Sequence, residues 1–185
     1  ALNETANRYS DLAGALRVLA FGQTLAWQLP WPAPFFGGRL LLDPLGAVFV
    51  AALALVGLAA AIYAPAYLER AGHRLSPVAQ QALLGLLEAS ILGVLLADDL
   101  VGFLVAWELM TALATALVLS DGHRPAVVRA AVLYGVITHI GTLLAVAGLL
   151  WLASGADDLS FAALREAAGA LGPGARVAIA LLTLV

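Results

Sequence analysis

Charge, cysteine and lysine are scarce or absent in this chain of 185 residues, and each shortage excludes something. Only 11% of the residues are charged, whereas soluble domains carry about 25%. Too little polar side chain is present to cover a globule of this size, so a soluble enzyme and a disordered chain are excluded. A net charge of −3 argues against a polyanion partner, and no nucleic-acid partner is expected. Cysteine is absent, which removes disulfides and thiolate metal sites. All nine basic residues are Arg; there is no Lys. What remains is 63% apolar residues and a mean hydropathy of +0.98, the composition of an integral membrane protein.

The apolar residues fall into runs of helical length, apolar on every face rather than alternating, which favours helices over a β-barrel. Five runs are long enough to span a bilayer: roughly Leu12 to Leu29, Leu45 to Leu68, Val78 to Ala97, Leu100 to Leu119 and Val127 to Leu152. The first is the weakest, because it carries Arg17, Gln23 and Gln28 and closes on Pro30, Pro32 and Pro34. Trp27 and Trp31 suit an interfacial level there. Asp43 and Pro44 open the second run as N-cap and first-turn residues. A sixth helix opens near Val177. Before it, Phe161, Leu164, Ala168 and Leu171 recur at helical spacing, with Arg165 and Glu166 elsewhere, which predicts a short amphipathic helix on the membrane surface. The fold class expected is an all-α polytopic transmembrane bundle. Small residues in AALALVGLAAA let such helices approach closely.

The N-terminal ALNETANRYSD is polar and mixed in charge, without the pattern of a secretory signal. The final RVAIALLTLV supplies about nine apolar residues of a helix that needs roughly 20. Residues 1–185 are therefore expected to form one membrane domain belonging to a longer protein. Arg8, Arg70, Arg74, Arg124 and Arg129 lie on one side of the predicted spans, against Arg39, Arg165 and Arg176 on the other. The positive-inside tendency then places the N-terminal stretch in the cytoplasm and the Asp98–Asp99 turn on the far side.

Charge scarcity makes the remaining polar residues conspicuous. Glu108 lies about 12 Å into the fourth span at 1.5 Å per residue, close to the midplane. An acid there costs roughly 2.5–3.5 kcal/mol on insertion scales, so such residues usually face a bundle interior and serve function. Thr111 and Thr115 continue a polar stripe from it. The bland alternative is a neutral Glu bonded to a neighbouring helix. His139 lies mid-span near Tyr134, Thr138 and Thr142. It suits a proton relay, or else packs with its ring on a backbone carbonyl. Glu88, inside the third span, either lines the same interior as Glu108 or faces a helix elsewhere. Asp98 and Asp99 cap a turn at the water interface. His73 and His123 fall in loops, so no metal-ligating set and no cofactor-binding motif is expected. Proton or ion transfer is the chemistry these residues support.

The run ADDLVGFLVAWELMTALATALVLS resembles the Glu-bearing helix of the antiporter-like subunits of respiratory complex I, of Mrp-type sodium/proton antiporters and of membrane-bound hydrogenases. Upstream, Leu40-x-x-Asp43-Pro44-Leu45 and Tyr63-x-x-x-Tyr67-Leu68 are similar to the opening and close of that family's preceding span. Downstream, Tyr134-x-x-x-Thr138-His139-x-Gly141-Thr142 is similar to its next helix. WELM and the THIGT spelling look closest to the large membrane subunit of hydrogenase-4 and formate hydrogenlyase. The resemblance covers roughly Leu40 to Val185.

The resemblance implies that Glu108 and His139 form the proton-relay site and that Glu108 pairs with a Lys on the helix that opens near Val177, at a position beyond Val185. It implies a non-redox membrane subunit without a catalytic centre or cofactor of its own. The implied function is proton translocation within a redox-driven complex of the hydrogenase-4, formate hydrogenlyase or NADH-quinone oxidoreductase type. Its implied partners are other membrane subunits, a peripheral redox arm, the lipid bilayer, and protons or sodium ions. Its implied location is a bacterial or archaeal inner membrane. The alternative is a subunit of a stand-alone Mrp-type sodium/proton antiporter, and a third reading is a structural scaffold with Glu108 neutral. Glu88 stands where the family usually has an apolar residue.

Overall fold

The computed structural model describes residues 18, 20, 22–29, 38–70, 75–120 and 124–184, the side chains of 65, 69 and 70 apart. The elements are β1 (Leu25–Gln28), β2 (Arg39–Leu42), α1 (Pro44–Arg70), α2 (Pro77–Leu96), α3 (Leu100–Leu119), α4 (Pro125–Ala153), α5 (Phe161–Ala170) and α6 (Pro173–Thr183). Among the described residues, α1 to α4 are long and apolar enough to cross a membrane, and α6 is a shorter apolar helix. The described residues form an all-α polytopic membrane architecture with one small hairpin.

Helix starts follow local chemistry. The Asp43 carboxylate accepts from the Gly46 amide at 2.6 Å. Ser76 Oγ accepts from Ala79 N at 3.2 Å ahead of Pro77, and Asp99 Oδ1 accepts from Gly102 N at 2.8 Å. Ser160 Oγ does the same for α5 at Ala163 N. Each satisfies an amide that the first turn leaves without a carbonyl. Pro125 and Pro173 open α4 and α6, where the missing N–H costs nothing.

Each spanning helix packs on the next, α1 on α2, α2 on α3 and α3 on α4, and α6 packs on α4. The outer faces carry large aliphatic side chains, with Leu55 70%, Ile62 74% and Leu143 68% exposed, a surface suited to lipid rather than water. Gly148 lets α6 approach α4: a Cβ there would lie 3.0 Å from Leu182 Cβ and 3.3 Å from the Ile179 carbonyl oxygen. Phe161 of α5 meets Phe103 of α3 edge-on, with ring centroids 5.9 Å apart. Leu164 and Ala167 are buried, while Arg165 and Glu166 face out, as the amphipathic spacing predicts.

The first expected span needs correction. Its final part, Leu25–Gln28, is a strand paired antiparallel with Arg39–Leu42, Leu25 opposite Leu42 and Gln28 opposite Arg39. Leu25 and Trp27 point inward onto a small cluster of Val18, Leu42 and Ala47, while Ala26 and Gln28 point out. The alternation of a strand thus accounts for polar Gln28 beside apolar neighbours. Of the earlier part of that span, residues 12–17, 19 and 21 lie outside the described residues, as do Pro30, Trp31, Pro32 and Pro34.

The hairpin braces the end of the bundle that holds the Asp98–Asp99 turn. Asp98 N donates to Arg39 O at 3.0 Å, and the Arg39 guanidinium pairs with Asp98 Oδ2 at 3.2 Å. From the other side, Leu100 N donates to Leu159 O at 2.8 Å. The turn therefore joins strand, spanning helices and amphipathic helix at one level.

Candidate functional site

The two residues singled out in the middle of the fourth and fifth expected spans meet across the α3–α4 interface. Glu108 Oε2 lies 3.3 Å from His139 Nε2. The other ring nitrogen, Nδ1, lies 2.7 Å from the Gly135 carbonyl oxygen one turn back on α4. A carbonyl oxygen only accepts, so Nδ1 carries a hydrogen and donates it. Nε2 then bears a second hydrogen only if the ring is an imidazolium.

That geometry constrains the proton count. A neutral ring with Nδ1–H would face an ionised carboxylate lone pair to lone pair. The contact is favourable when one further proton sits between the partners, as imidazolium with carboxylate or as imidazole with carboxylic acid. Either form has no net charge, which relieves the cost of placing an acid near the membrane midplane. The side chains of Glu108 and His139 are 41% and 52% exposed, so the pair is open on one side.

Around the pair the hydroxyls are occupied. Thr111 Oγ1 donates to Trp107 O at 3.1 Å and Thr115 Oγ1 to Thr111 O at 2.8 Å. On α4, Thr138 Oγ1 donates to Tyr134 O at 2.8 Å and Thr142 Oγ1 to Thr138 O at 3.0 Å. The polar stripe expected from Glu108 through Thr111 and Thr115 is therefore present, with its protons directed at its own helix.

One member of the site escaped the sequence reading. Trp107 donates its indole N–H to Thr142 Oγ1 at 3.2 Å and so ties α3 to α4 beside the pair. Its signal was its adjacency to Glu108, since an indole N–H in an apolar span needs an acceptor. Phe103 packs against its ring with centroids 5.6 Å apart.

The other candidates separate from this pair. Glu88 turns the opposite way, against Gly57 of α1: a Cβ on Gly57 would stand 2.9 Å from Glu88 Oε2. Glu88 therefore does not line the Glu108 interface. Asp98 pairs with Arg39 and Asp99 caps α3, as the turn reading expected. His73 and His123 lie outside the described residues. Among the described residues, no group of three or more His, Cys, Asp or Glu side chains is placed to hold a metal ion.

Comparison with known proteins identifies the family. Residues 97–185, from the turn before α3 onward, match the family described as NADH:quinone oxidoreductase/Mrp antiporter, TM. A probable K(+)/H(+) antiporter subunit from Rhizobium meliloti is 32% identical over 149 residues, covering 80% of this chain and 26% of that protein. An NADH-quinone oxidoreductase subunit of Desulforudis audaxviator is 35% identical over 125 residues, covering 61% of this chain and 25% of that one. An uncharacterized protein of Mycobacterium tuberculosis is 34% identical over 165 residues, covering 89% of this chain and 25% of that protein. The chain spans about a quarter of the length of the curated relatives it matches. With its all-α membrane architecture and this match over the Glu108 and His139 helices, the chain belongs to the antiporter-like membrane subunit family shared by NADH:quinone oxidoreductases and Mrp antiporters.

Proposed function

We propose that this chain is the proton-relaying part of a membrane subunit in a redox-driven complex, with Glu108 and His139 passing one proton between them. The observation that carries this reading is the 3.3 Å contact between Glu108 Oε2 and His139 Nε2, with Nδ1 occupied by the Gly135 carbonyl. The pair has two forms of equal net charge, differing only in which atom holds the shared proton. Moving that proton breaks one N–H bond and makes one O–H bond, with no charge left bare in the hydrocarbon. A change of charge in a neighbouring subunit biases which form is held, which is how a distant redox step would drive the relay.

The same geometry favours a proton over an alkali cation as the group handled here. A hard cation calls for several oxygen ligands. Here the carboxylate faces an imidazole nitrogen, and the nearby threonine hydroxyls are spent on helix carbonyls. The peripheral redox arm, the other membrane subunits and an inner-membrane location belong to this proposal, as the resemblance to hydrogenase-4 and formate hydrogenlyase subunits implies. The second reading, membership of a cation/proton antiporter, is favoured by the likeness to a relative named as part of a K(+)/H(+) antiporter.

The test is Glu108→Gln in the full-length subunit within its assembled complex, reconstituted in vesicles. Proton uptake driven by the redox donor is expected to fall at least about tenfold, the scale of removing a positioned proton carrier. Wild-type proton uptake in the assembled variant would overturn the proposal. Proton movement that requires a K⁺ or Na⁺ gradient and ignores the redox donor would favour the antiporter.

A further inference from the structure

At the end of the bundle opposite the Asp98–Asp99 turn, the four long helices leave a cleft of about 520 Å³. Ala60, Ala64 and Leu68 of α1, Leu84 of α2, Leu117 of α3 and Val127 of α4 give it apolar walls. Gln80 and Ser120 also line it, but their polar groups are engaged. Gln80 Nε2 donates to Ser120 Oγ at 3.0 Å, and Ser120 Oγ donates to Leu117 O at 2.6 Å. Tyr63 and Tyr67 stand at its α1 edge with ring centroids 5.6 Å apart. An apolar ring with a polar tip suits the headgroup level of a bilayer.

Dimensions and charge select the occupant. The lining from Ala60 to Leu68 runs about 12 Å along α1, so the cleft averages about 7 Å across. A helix with its side chains needs about 10–12 Å. The cleft therefore admits extended hydrocarbon chains and not a further helix. Beside it stands Arg124, whose carbonyl oxygen accepts from the amide of Val127, in the cleft wall, at 2.9 Å. The Arg124 side chain is exposed, makes no capping bond and has no ion-pair partner among the described residues. Arg70 closes α1 two residues beyond Leu68, and Arg129 follows on α4. Against these three Arg, the ends of the described helices here carry one acid, Glu69.

We propose that this cleft binds one anionic phospholipid of the bilayer, its acyl chains lying along α1 and its phosphate meeting Arg124. The Arg distribution puts this end of the bundle in the cytoplasmic leaflet, which is where anionic lipid gives a membrane its negative surface. A zwitterionic lipid fits the same apolar walls, but its ammonium group meets the excess of Arg, so a net negative headgroup is preferred. The proposal rests on the membrane-spanning architecture and not on the Glu108–His139 relay.

The test places the full-length subunit, within its complex, in nanodiscs of equal phosphatidylglycerol and phosphatidylcholine. One or the other lipid carries the same photoreactive diazirine in its acyl chain. After illumination, cross-links are mapped to residues, and the ratio of phosphatidylglycerol to phosphatidylcholine labelling is taken at each. Ala60 and Leu84 read the cleft. Ile62, at the same depth on α1, lies outside the lining and is 74% exposed, so it reads bulk lipid. The ratio in the cleft is expected to exceed that at Ile62 about fivefold, the weight of one basic residue toward an anionic lipid. Arg124→Gln, at an exposed position, should bring the two ratios together. Ala60→Phe, which narrows the cleft, should lower labelling at Leu84 by either lipid and leave Ile62 unchanged; Arg124→Gln decides the question if that variant does not assemble. Equal ratios at cleft and outer face in the wild type, or a cleft ratio that Arg124→Gln leaves unmoved, would overturn the proposal. Absence of cross-links at both Ala60 and Leu84, as when protein covers the cleft, would overturn it too. Labelling is read without proton uptake, so failure of the relay reading leaves this result unchanged.

Discussion

At Glu108, the proposed chemistry rests on one atom pair. The acid stood out in the sequence because a span without other charges made its cost visible, and His139 stood out for the same reason. That they meet was not legible: it depends on how α3 and α4 rotate about their axes, and neither helix encodes its partner's rotation. The opposite facing of Glu88, toward Gly57, was hidden for the same cause. Trp107 sets part of that rotation through Thr142. Trp107→Phe keeps the ring and removes the N–H. It should lower stability by about 1 kcal/mol, the net value of one such bond. It should also lower proton uptake more than it lowers assembly, as a group that positions its neighbour would. Uptake measured per assembled complex checks this; uptake unchanged at equal assembly would show that the tie plays no part in positioning.

The start of α1 was legible from Asp43–Pro44, whereas α6 opens at Pro173, ahead of the expected Val177. Asp43–Pro44, Ser76–Pro77, Asp99, Pro125, Ser160 and Pro173 start helices by supplying an acceptor or by lacking a donor. The strand at Leu25–Gln28 was not legible, since its partner Arg39–Leu42 lies beyond a proline-rich stretch and a short apolar run reads equally as helix. Close approach between elements is testable at Gly148. A methyl there meets the Ile179 carbonyl at 3.3 Å as well as Leu182 Cβ, and backbone cannot swing aside. Gly148→Ala should cost about 1–3 kcal/mol, as overpacking does, and lower the melting temperature of the detergent-solubilised full-length chain. An unchanged melting temperature would contradict close packing of α6 on α4.

Asp158, in the loop before α5, offers a pH-dependent check. The Ser160 hydroxyl first, and then the Ser160 amide at 2.7 Å, hold its carboxyl below the usual range. A lowered folded value means that its contribution is complete above the ordinary aspartate range and disappears as pH falls through that lowered value. Asp158→Asn should therefore speed hydrogen exchange at Ser160 and Ala163 near neutral pH, with the difference closing in acid. A difference that persists in acid would contradict this assignment.

On the scale of the whole molecule, the four long apolar helices among the described residues pack in sequence, leave aliphatic faces exposed and bring Glu108 and His139 together between α3 and α4. The low charge count that first identified a membrane protein also confines the proposed relay to the α3–α4 interface. The central claim is that Glu108 and His139 act as one proton-holding unit. Proton uptake in assembled, full-length complex carrying Glu108→Gln, His139→Asn or both tests it most directly, because Asn retains a donor for the Gly135 carbonyl while removing the nitrogen that faces Glu108. Each single variant is expected to lose about as much as the double, the signature of residues that work as a unit. Losses that multiply in the double variant, or wild-type uptake in either single one, would contradict it.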